Sequence, residues 1–454
     1  MRLFFLCLFA CCLTQAIANG AGRPQEIRVQ LTTANSLTPV YTSYIKASDQ
    51  SVQAPYLKEL EKVFEYDFNY NGKTSVVNHS PEKERILIHK DPKVAFNDQD
   101  WKSSGIPYVI KLGLKEKKII VNVFNVVTGS VQTFPELILT GTLAEDRRRL
   151  HRLSDLIYRS FFNQEGIANS RILFSYQNKG SDGSSKNVAE IWECDWDGAN
   201  VAQVTYEKTY CVTPVLIPKG GAFQQDMFLY VSYKSGQPKI FISSLDGGMG
   251  QKAVDLRGNQ LLPAISKNRD TMAFICDATG RADLFIQPIQ AENGRMGTPV
   301  QLFSFPRSTQ ASPTFSPDGT KIAFASDKDG STRIYTIPSQ RTAKRAIPQL
   351  ITKKNRENSC PSWSPDGTKL AYSAKTEGIR QIWIYDFTSK EEYQLTTGAG
   401  NKENPCWAAN NLHIVFNSTD SNSSDLYLVN LNQPDAIKIT NGPGKKHYPS
   451  WGPR

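Results

Sequence analysis

The chain has 454 residues, 39% hydrophobic and 21% charged, with a formal net charge of +10. Such a composition supports a folded core, excludes a largely disordered chain, and at this length suits two or three domains. No zinc-finger, RNP or helix-turn-helix pattern accompanies the positive charge, so the common nucleic-acid-binding classes are excluded.

The opening stretch, MRLFFLCLFACCLTQAIANGAG, sets Arg2 before an apolar run from Leu3 to Leu13 and a small-x-small site at Ala16-Ile17-Ala18. This is the layout of a secretory signal peptide over residues 1–18, too short to span a bilayer. No other stretch approaches the roughly 18 apolar residues of a membrane span. The expected mature protein is exported, soluble and without a membrane span. Residues 19–30 read as a flexible segment carrying Gly20, Gly22 and Pro24, running into a first strand at EIRVQL. Of eight cysteines, Cys7, Cys11 and Cys12 lie in the signal. Cys194, Cys211, Cys276, Cys360 and Cys406 are scattered without a CxxC, which predicts buried thiols rather than a disulfide framework.

Residues 24–166 read as an α/β sandwich domain. APYLKELEKVFEY spaces Leu57, Leu60 and Phe64 as the buried face of a helix. Residues 100–142 read as a succession of strands and turns. LAEDRRRLHRLSDLIYRSFF predicts a long helix with Leu150, Leu153, Ile157 and Phe161 as its apolar stripe. On it, Arg147-Arg148-Arg149 with Arg152 reads as a solvated basic face. Gly166 and Asn169-Ser170 mark a join.

From 167 to 454 the chain repeats. A proline two residues ahead of an aromatic opens each good copy, as in PTFSPDGTKIAFAS at Pro313 and PSWSPDGTKLAYS at Pro361. Pro214, Pro263, Pro313, Pro361, Pro405 and Pro449 are spaced by 49, 50, 48, 44 and 44 residues. A period of roughly 40 to 50 residues with several strands per unit predicts propeller blades. A further strand recurs as EIWECD, KIFISS, DLFIQP, RIYTIP, QIWIYD and DLYLVN. The first copy lacks a proline strand and the last proline strand lacks a copy behind it. The expectation is a six-bladed all-β propeller in which Tyr448 to Trp451 pairs into the first blade and closes the ring. SPDG is then a hairpin turn, with proline presetting φ and Asp-Gly supplying a left-handed conformation. KIAFAS sets Ile322, Phe324 and Ser326 on one face and Ala323 and Ala325 on the other.

Catalysis finds little support. His79, His89, His151, His413 and His447 show no metal-ligand spacing, and there is no G-x-S-x-G elbow. With no residues after Arg454 for an α/β-hydrolase domain, the propeller peptidase class is not expected. A propeller lyase remains an alternative, as does a module binding a small sugar or peptide in the channel. Asp195-Trp196-Asp197-Gly198 and Asp327-Lys328-Asp329-Gly330 resemble calcium loops only faintly and predict turns. No metal or cofactor is expected.

The order of domains, the PxWSPDG copies, the closing PSWGP, the joint FFNQEGIANSRILFSY and DWKSSGIPYVIKLGL together resemble the TolB family of the Gram-negative Tol-Pal system, over nearly the whole mature chain. The resemblance implies a non-enzymatic periplasmic protein, a monomer in itself. It would bind the peptidoglycan-associated lipoprotein Pal at one propeller mouth and the inner-membrane-anchored TolA through its N-terminal tail. Envelope integrity and constriction at division would follow. The implied Pal-facing loops precede the blade-opening prolines: Arg307, Ser308, Thr309, Gln310 and Ala311; Asn358, Ser359 and Cys360; Glu403 and Asn404. Ser308-Thr309 stand where the family often has His-Asn. The implied tail residues are Asn19, Gly20, Pro24, Glu26, Ile27 and Val29.

Overall fold

The computed structural model describes residues 27–29, 36–87, 101–178, 188–221, 223–290, 296–342, 344–421, 423–433 and 435–454. The signal segment, His89 and the tail residues Asn19, Gly20, Pro24 and Glu26 lie outside them.

Three helices are described: α1 (Ala54–Tyr70), α2 (Pro81–Leu87) and α3 (Leu143–Phe162). The N-terminal sheet runs Thr74–Val76, Thr38–Thr42, Tyr108–Lys115, Lys118–Asn125, Ser130–Thr133. Thr38–Thr42 is parallel to both its neighbours, Lys46–Ala47 also runs parallel to Tyr108–Lys115, and residues 108–133 are hairpin-built. One face of the sheet presents Ile110, Leu112, Val121 and Val123 to Leu60, Phe64 and Phe68 of α1 and to Leu150, Leu153 and Ile157 of α3. The i, i+3, i+4 spacing on both helices makes this a single apolar layer. Buried Asp146 fixes the start of α3: its carboxylate accepts the Thr140 and Gly141 N–H groups at 2.8 and 3.1 Å, and the Tyr56 hydroxyl of α1 at 2.6 Å.

The expected first strand behaves differently. Among the described residues Arg28–Val29 forms a strand there, and it pairs with Thr396–Thr397 of the repeat region, not with the N-terminal sheet. Ile27, 5% exposed, is buried among Leu395, Trp407, Ile414 and Leu431. An apolar residue beside an open edge gains more from that cleft than from its own domain, whose sheet already ends in two short strands.

Four sheets of four antiparallel strands follow in order, led by Cys211–Ile217, Gln260–Ile265, Gln310–Phe315 and Asn358–Trp363. An eight-stranded sheet contains two further four-strand successions. One is led by Asn401–Trp407. In the other, Lys445–Pro453 pairs antiparallel with Ser170–Gln177, setting Trp451 opposite Ile172 and Ser450 opposite Leu173. Side-chain alternation serves sheet stacking. Ile322 and Phe324 pack on Ala273, Ile275 and Leu284 of the preceding sheet. Ala323 and Ala325 leave room for Leu370 and Tyr372 of the next. In the SPDG turn the left-handed residue is Gly319 alone, at φ 72, with its N–H donating to Ser316 O at 2.8 Å. Asp318 instead accepts the Thr320 N–H at 3.0 Å, and this bond together with the Ser316 hydroxyl holds its carboxyl below the usual range. In the worn copies Arg269 and Asn411 take the positive φ, at 63° and 59°.

The two regions are joined by buried polar contacts. The end of α1 leaves carbonyls without helical partners. His413 Nε2 faces Tyr70 O at 2.7 Å, while the amides of Gln433 and Asn432 donate to Asn69 O and Gly72 O at 3.0 and 2.6 Å. The basic face of α3 is not solvated throughout. Arg147 pairs with Asp197, and Arg148 Nε lies 3.3 Å from Asp195. Arg454 reaches the same Asp195 at 2.7 Å. Trp196 Nε1 donates to Asp67 Oδ1 of α1 at 3.0 Å. The Asp195–Gly198 turn is thus an acidic docking knob. His151, Asp195 and Asp197 bring ligand-type atoms within 4.8 Å of one another, but three guanidinium groups already supply the countercharge there. Arg149 and Arg152 remain on the outer side, Arg149 pairing with Glu145 at 2.6 Å.

Two outcomes are expected. Gly198 sits at φ 82 with Ile439 O only 1.7 Å from where a Cβ would stand. Gly198→Ala therefore costs about 3 kcal/mol or more through steric and backbone strain, read as a lowered midpoint in chemical denaturation. Burial lowers the pKa of His413 from 6.5 to about 4, the Tyr70 carbonyl only partly opposing it. The unfolded chain gains this proton near pH 6.5 and the native one only near 4. Stability from His413 is therefore full above 6.5 and falls as pH drops towards 4, by about 3 kcal/mol at most. His413→Gln should be less stable than the parent at pH 7.5, with the gap closing by pH 4.5 in thermal melts.

Candidate functional site

The six proline strands share one irregularity. Their registers shift at Val212/Val215, Leu261/Ala264, Ala311/Thr314, Ser359/Ser362, Glu403/Cys406 and His447/Ser450. Each shift is a β-bulge at the residue before the proline. Thr213, Leu262, Ser312, Cys360, Asn404 and Tyr448 all have φ between 48° and 55°. A left-handed non-glycine before proline is disfavoured twice over, so six repeats of it mark a shared constraint. These residues and their prolines line one cavity of about 150 Å³. Burial raises the thiol pKa of Cys360 and that of the Tyr448 hydroxyl, the latter to about 12. Neither is primed as a nucleophile.

Three residues before these prolines a second pattern appears, and here the site residues expected from sequence divide. Gln260 donates to Leu256 O at 2.8 Å and Asn358 to Asn355 O at 2.8 Å. Lys402 Nζ donates to Gly398 O at 2.6 Å, Gly400 O at 3.0 Å and Ala399 O, and Lys446 to Gly442 O at 2.8 Å. Gln310, 2% exposed, bonds Ser308 and Ser326. These side chains are buried and hold the loops from beneath. Gln310, Asn358 and Ser308 therefore face inward. Burial lowers the Lys402 pKa to about 8.

The exposed members are Arg307, at φ 57, and Thr309, whose N–H and hydroxyl both bond Asp327 at 2.7 and 3.0 Å. Asp327 thereby anchors the neighbouring loop. Ala311, Ser359, Cys360, Glu403 and Asn404 are half-buried, and of these Cys360 and Asn404 line the cavity. Asn404 donates to Asn417 Oδ1 at 2.8 Å.

Sequence reasoning missed Arg380, which ties together two of these loops. Its Nη1 donates to Ser359 Oγ at 3.2 Å, its Nε lies 3.4 Å from Glu403, and its N–H donates to Asn401 Oδ1 at 2.9 Å. Burial raises the Glu403 pKa and Arg380 partly offsets it. Arg380 stands in Ile379–Asp386, a strand whose motif begins only after it. The N-terminal domain docks at the end of the sheets where the proline strands finish, through His413, Asn432, Gln433 and Asn200. The candidate loops precede those strands, so they open at the opposite end, away from that domain.

The TolB beta propeller domain family matches residues 158–454. A protein named Protein TolB homolog from Protochlamydia amoebophila is 45% identical over 403 residues, covering 88% of this chain and 86% of its own. The chain belongs to the TolB family. A Chlamydia caviae protein of the same name is 34% identical over 384 residues, covering 84% and 82%. The crystal structure of TolB from Acinetobacter baumannii superposes with a TM-score of 0.73 at 18% identity, covering 95% of this chain and all of that one. At that identity the likeness shows the fold: a TolB-like propeller preceded by an N-terminal domain. Family membership places the chain in the Tol-Pal system.

Lys402 offers a direct test of loop support. Lys402→Met removes the buried donor from three carbonyls, at a cost of about 1–3 kcal/mol. Hydrogen exchange should accelerate at residues 398–401 while the N-terminal sheet is unchanged.

Proposed function

We propose that this chain is a non-enzymatic periplasmic interaction protein linking the inner-membrane Tol complex to the lipoprotein Pal, in support of outer-membrane integrity and envelope constriction at division. In this reading residues 1–18 are a signal peptide, the α/β domain extends to about residue 166, and six blades are closed into a ring by Lys445–Pro453. The observation that carries the partner surface is the set of loops with exposed tips and buried donors, all opening away from the N-terminal domain. A surface held rigid before binding loses little entropy on association, which suits a protein partner. Pal-type contacts then fall on Arg307, Thr309, Ser359, Arg380 and Glu403. The channel favours no small ligand: about 150 Å³ falls well below the roughly 300 Å³ at which ligand pockets begin. The lyase reading cannot draw on His151 or His413, which are buried at contacts between the domains.

The tail reading concerns Ile27 and Val29. For the segment to reach a TolA-type partner, the Arg28–Val29 pairing with Thr396–Thr397 must open.

Titration calorimetry with the same organism's delipidated Pal tests the proposal. One-to-one saturable binding is expected. Arg307→Glu with Arg380→Glu should weaken it at least tenfold while the melting curve stays within a few degrees of the parent. No binding by the folded parent protein defeats the proposal; unaltered affinity in the double variant defeats the surface assignment.

A further inference from the structure

The contact between the domains contains a histidine whose surroundings fix its protonation by hydrogen-bond logic. His151 of α3 is 1% exposed. Its Nδ1 lies 2.8 and 3.0 Å from the two Asp67 carboxylate oxygens of α1. Its Nε2 points across the domain boundary at Asp197 Oδ2, 3.6 Å away. A carboxylate only accepts. Neutral imidazole has one N–H, and Asp67 claims it at Nδ1. A neutral ring would therefore turn a bare lone pair towards the Asp197 carboxylate, in a site closed to water. Only the imidazolium both hydrogen-bonds Asp67 and turns a positive N–H, in place of a lone pair, towards Asp197 at ion-pair distance.

We propose that protonated His151 is a pH-responsive clasp between the two domains, closed when Nε2 carries its proton and loosened when that proton leaves.

The charged and titratable groups around the ring are accounted for on every element. Asp67 and Tyr66 come from α1, and Arg147, Arg148 and Asp155 from α3. Asp195 and Asp197 come from the docking turn, and Arg454 from beside it. Arg147 pairs with the same Asp197 oxygen that Nε2 faces. Arg148 and Arg454 are spent on Asp195. Trp196 already holds the second claim on Asp67 Oδ1. Burial lowers the pKa of His151, but Asp67, Asp197 and Asp195 outweigh it, and the net direction is upward. A raised histidine contributes stability that is complete below its unfolded pKa and is lost as pH rises through the folded one. His413, on the other contact, has the opposite sign. The interface is thus favoured in a window bounded by His413 on the acid side and His151 on the alkaline side. A shift in Nε2 occupancy biases the domain contact without touching the partner surface.

Nitrogen chemical shifts of the histidine rings in the full-length protein test the first half. At pH 6.5 both His151 nitrogens should carry protons; a single unprotonated ring nitrogen there overturns the proposal. Hydrogen exchange, corrected for its intrinsic pH dependence, tests the second half. Protection at residues 195–200 should fall at least tenfold between pH 7 and pH 9.5 in the parent. His151→Gln should already be low at pH 7 and flat with pH, and His151→Arg, which keeps the charge, should stay protected. Protection at 195–200 unchanged across the range in the parent, or a parent-like profile in His151→Gln, overturns the clasp. Should His151→Gln fail to fold, the ring shifts and the parent profile still decide.

Discussion

Pairing of Lys445–Pro453 with Ser170–Gln177 is the constraint on which the rest of this molecule depends. It supplies the first strand of the repeat region with the neighbour that its own sequence omits. An open edge there would expose a row of backbone donors and acceptors. The same pairing seats Trp451, whose Nε1 donates to Ser170 Oγ at 2.7 Å. It also delivers Arg454 to Asp195 and Glu193. The acidic knob that grips α3 is therefore electrostatically complete only when the far end of the repeat has come home. Sheet pairing and domain docking are one event in two places.

A second theme is rigidity built from beneath. The loops that open away from the N-terminal domain carry exposed polar tips, yet their backbone carbonyls are spent on buried amides and ammonium groups. Six left-handed residues before prolines lie next to them, each a small store of strain that the surrounding sheets hold in place. The outcome is a polar rim that keeps one shape in the absence of a partner. Arg380 extends this logic sideways, since it joins loops from neighbouring sheets and allows the rim to respond as a unit.

Much of this was written in recognisable letters. The Pro-Asp-Gly copies, the proline spacing and the missing first strand carry the repeat and the pairing of its ends. The helix stripes carry the N-terminal core. The fainter copies show in the proline spacing but not in the turn motif, because Arg269 and Asn411 do a turn's work that glycine does elsewhere. Loop-holding donors were invisible for a similar reason: Gln260, Gln310, Asn358, Lys402 and Lys446 share a position and a task but no common letter, so no motif forms. Gln310 and Asn358 lie in loops that the family resemblance implicates, and their inward turn shows only in three dimensions. Arg380 acts on Ser359 and Glu403 from a strand with its own motif, and proximity of that kind is not local in sequence. The docking of Arg28–Val29 depends on an apolar cleft between two neighbouring sheets far from it in sequence, which composition alone does not reveal. The basic run on α3 read as solvated because nothing near it in sequence names Asp195 and Asp197 as its partners.

The long loop closed by Ser170–Gln177 and Lys445–Pro453 also sets a timetable. A chain made from its N-terminus lays down Ser170–Gln177 early and Lys445–Pro453 only after every intervening sheet. At about 5–20 residues per second, the early strand waits roughly 15 to 55 seconds for its partner. Through that interval Leu173 and Phe174, which end fully or almost fully buried, lie on an incomplete sheet. The nascent chain thus passes through an obligatory sticky stage. Whatever shields unfinished proteins during synthesis must stay with this one until almost the last strand has appeared.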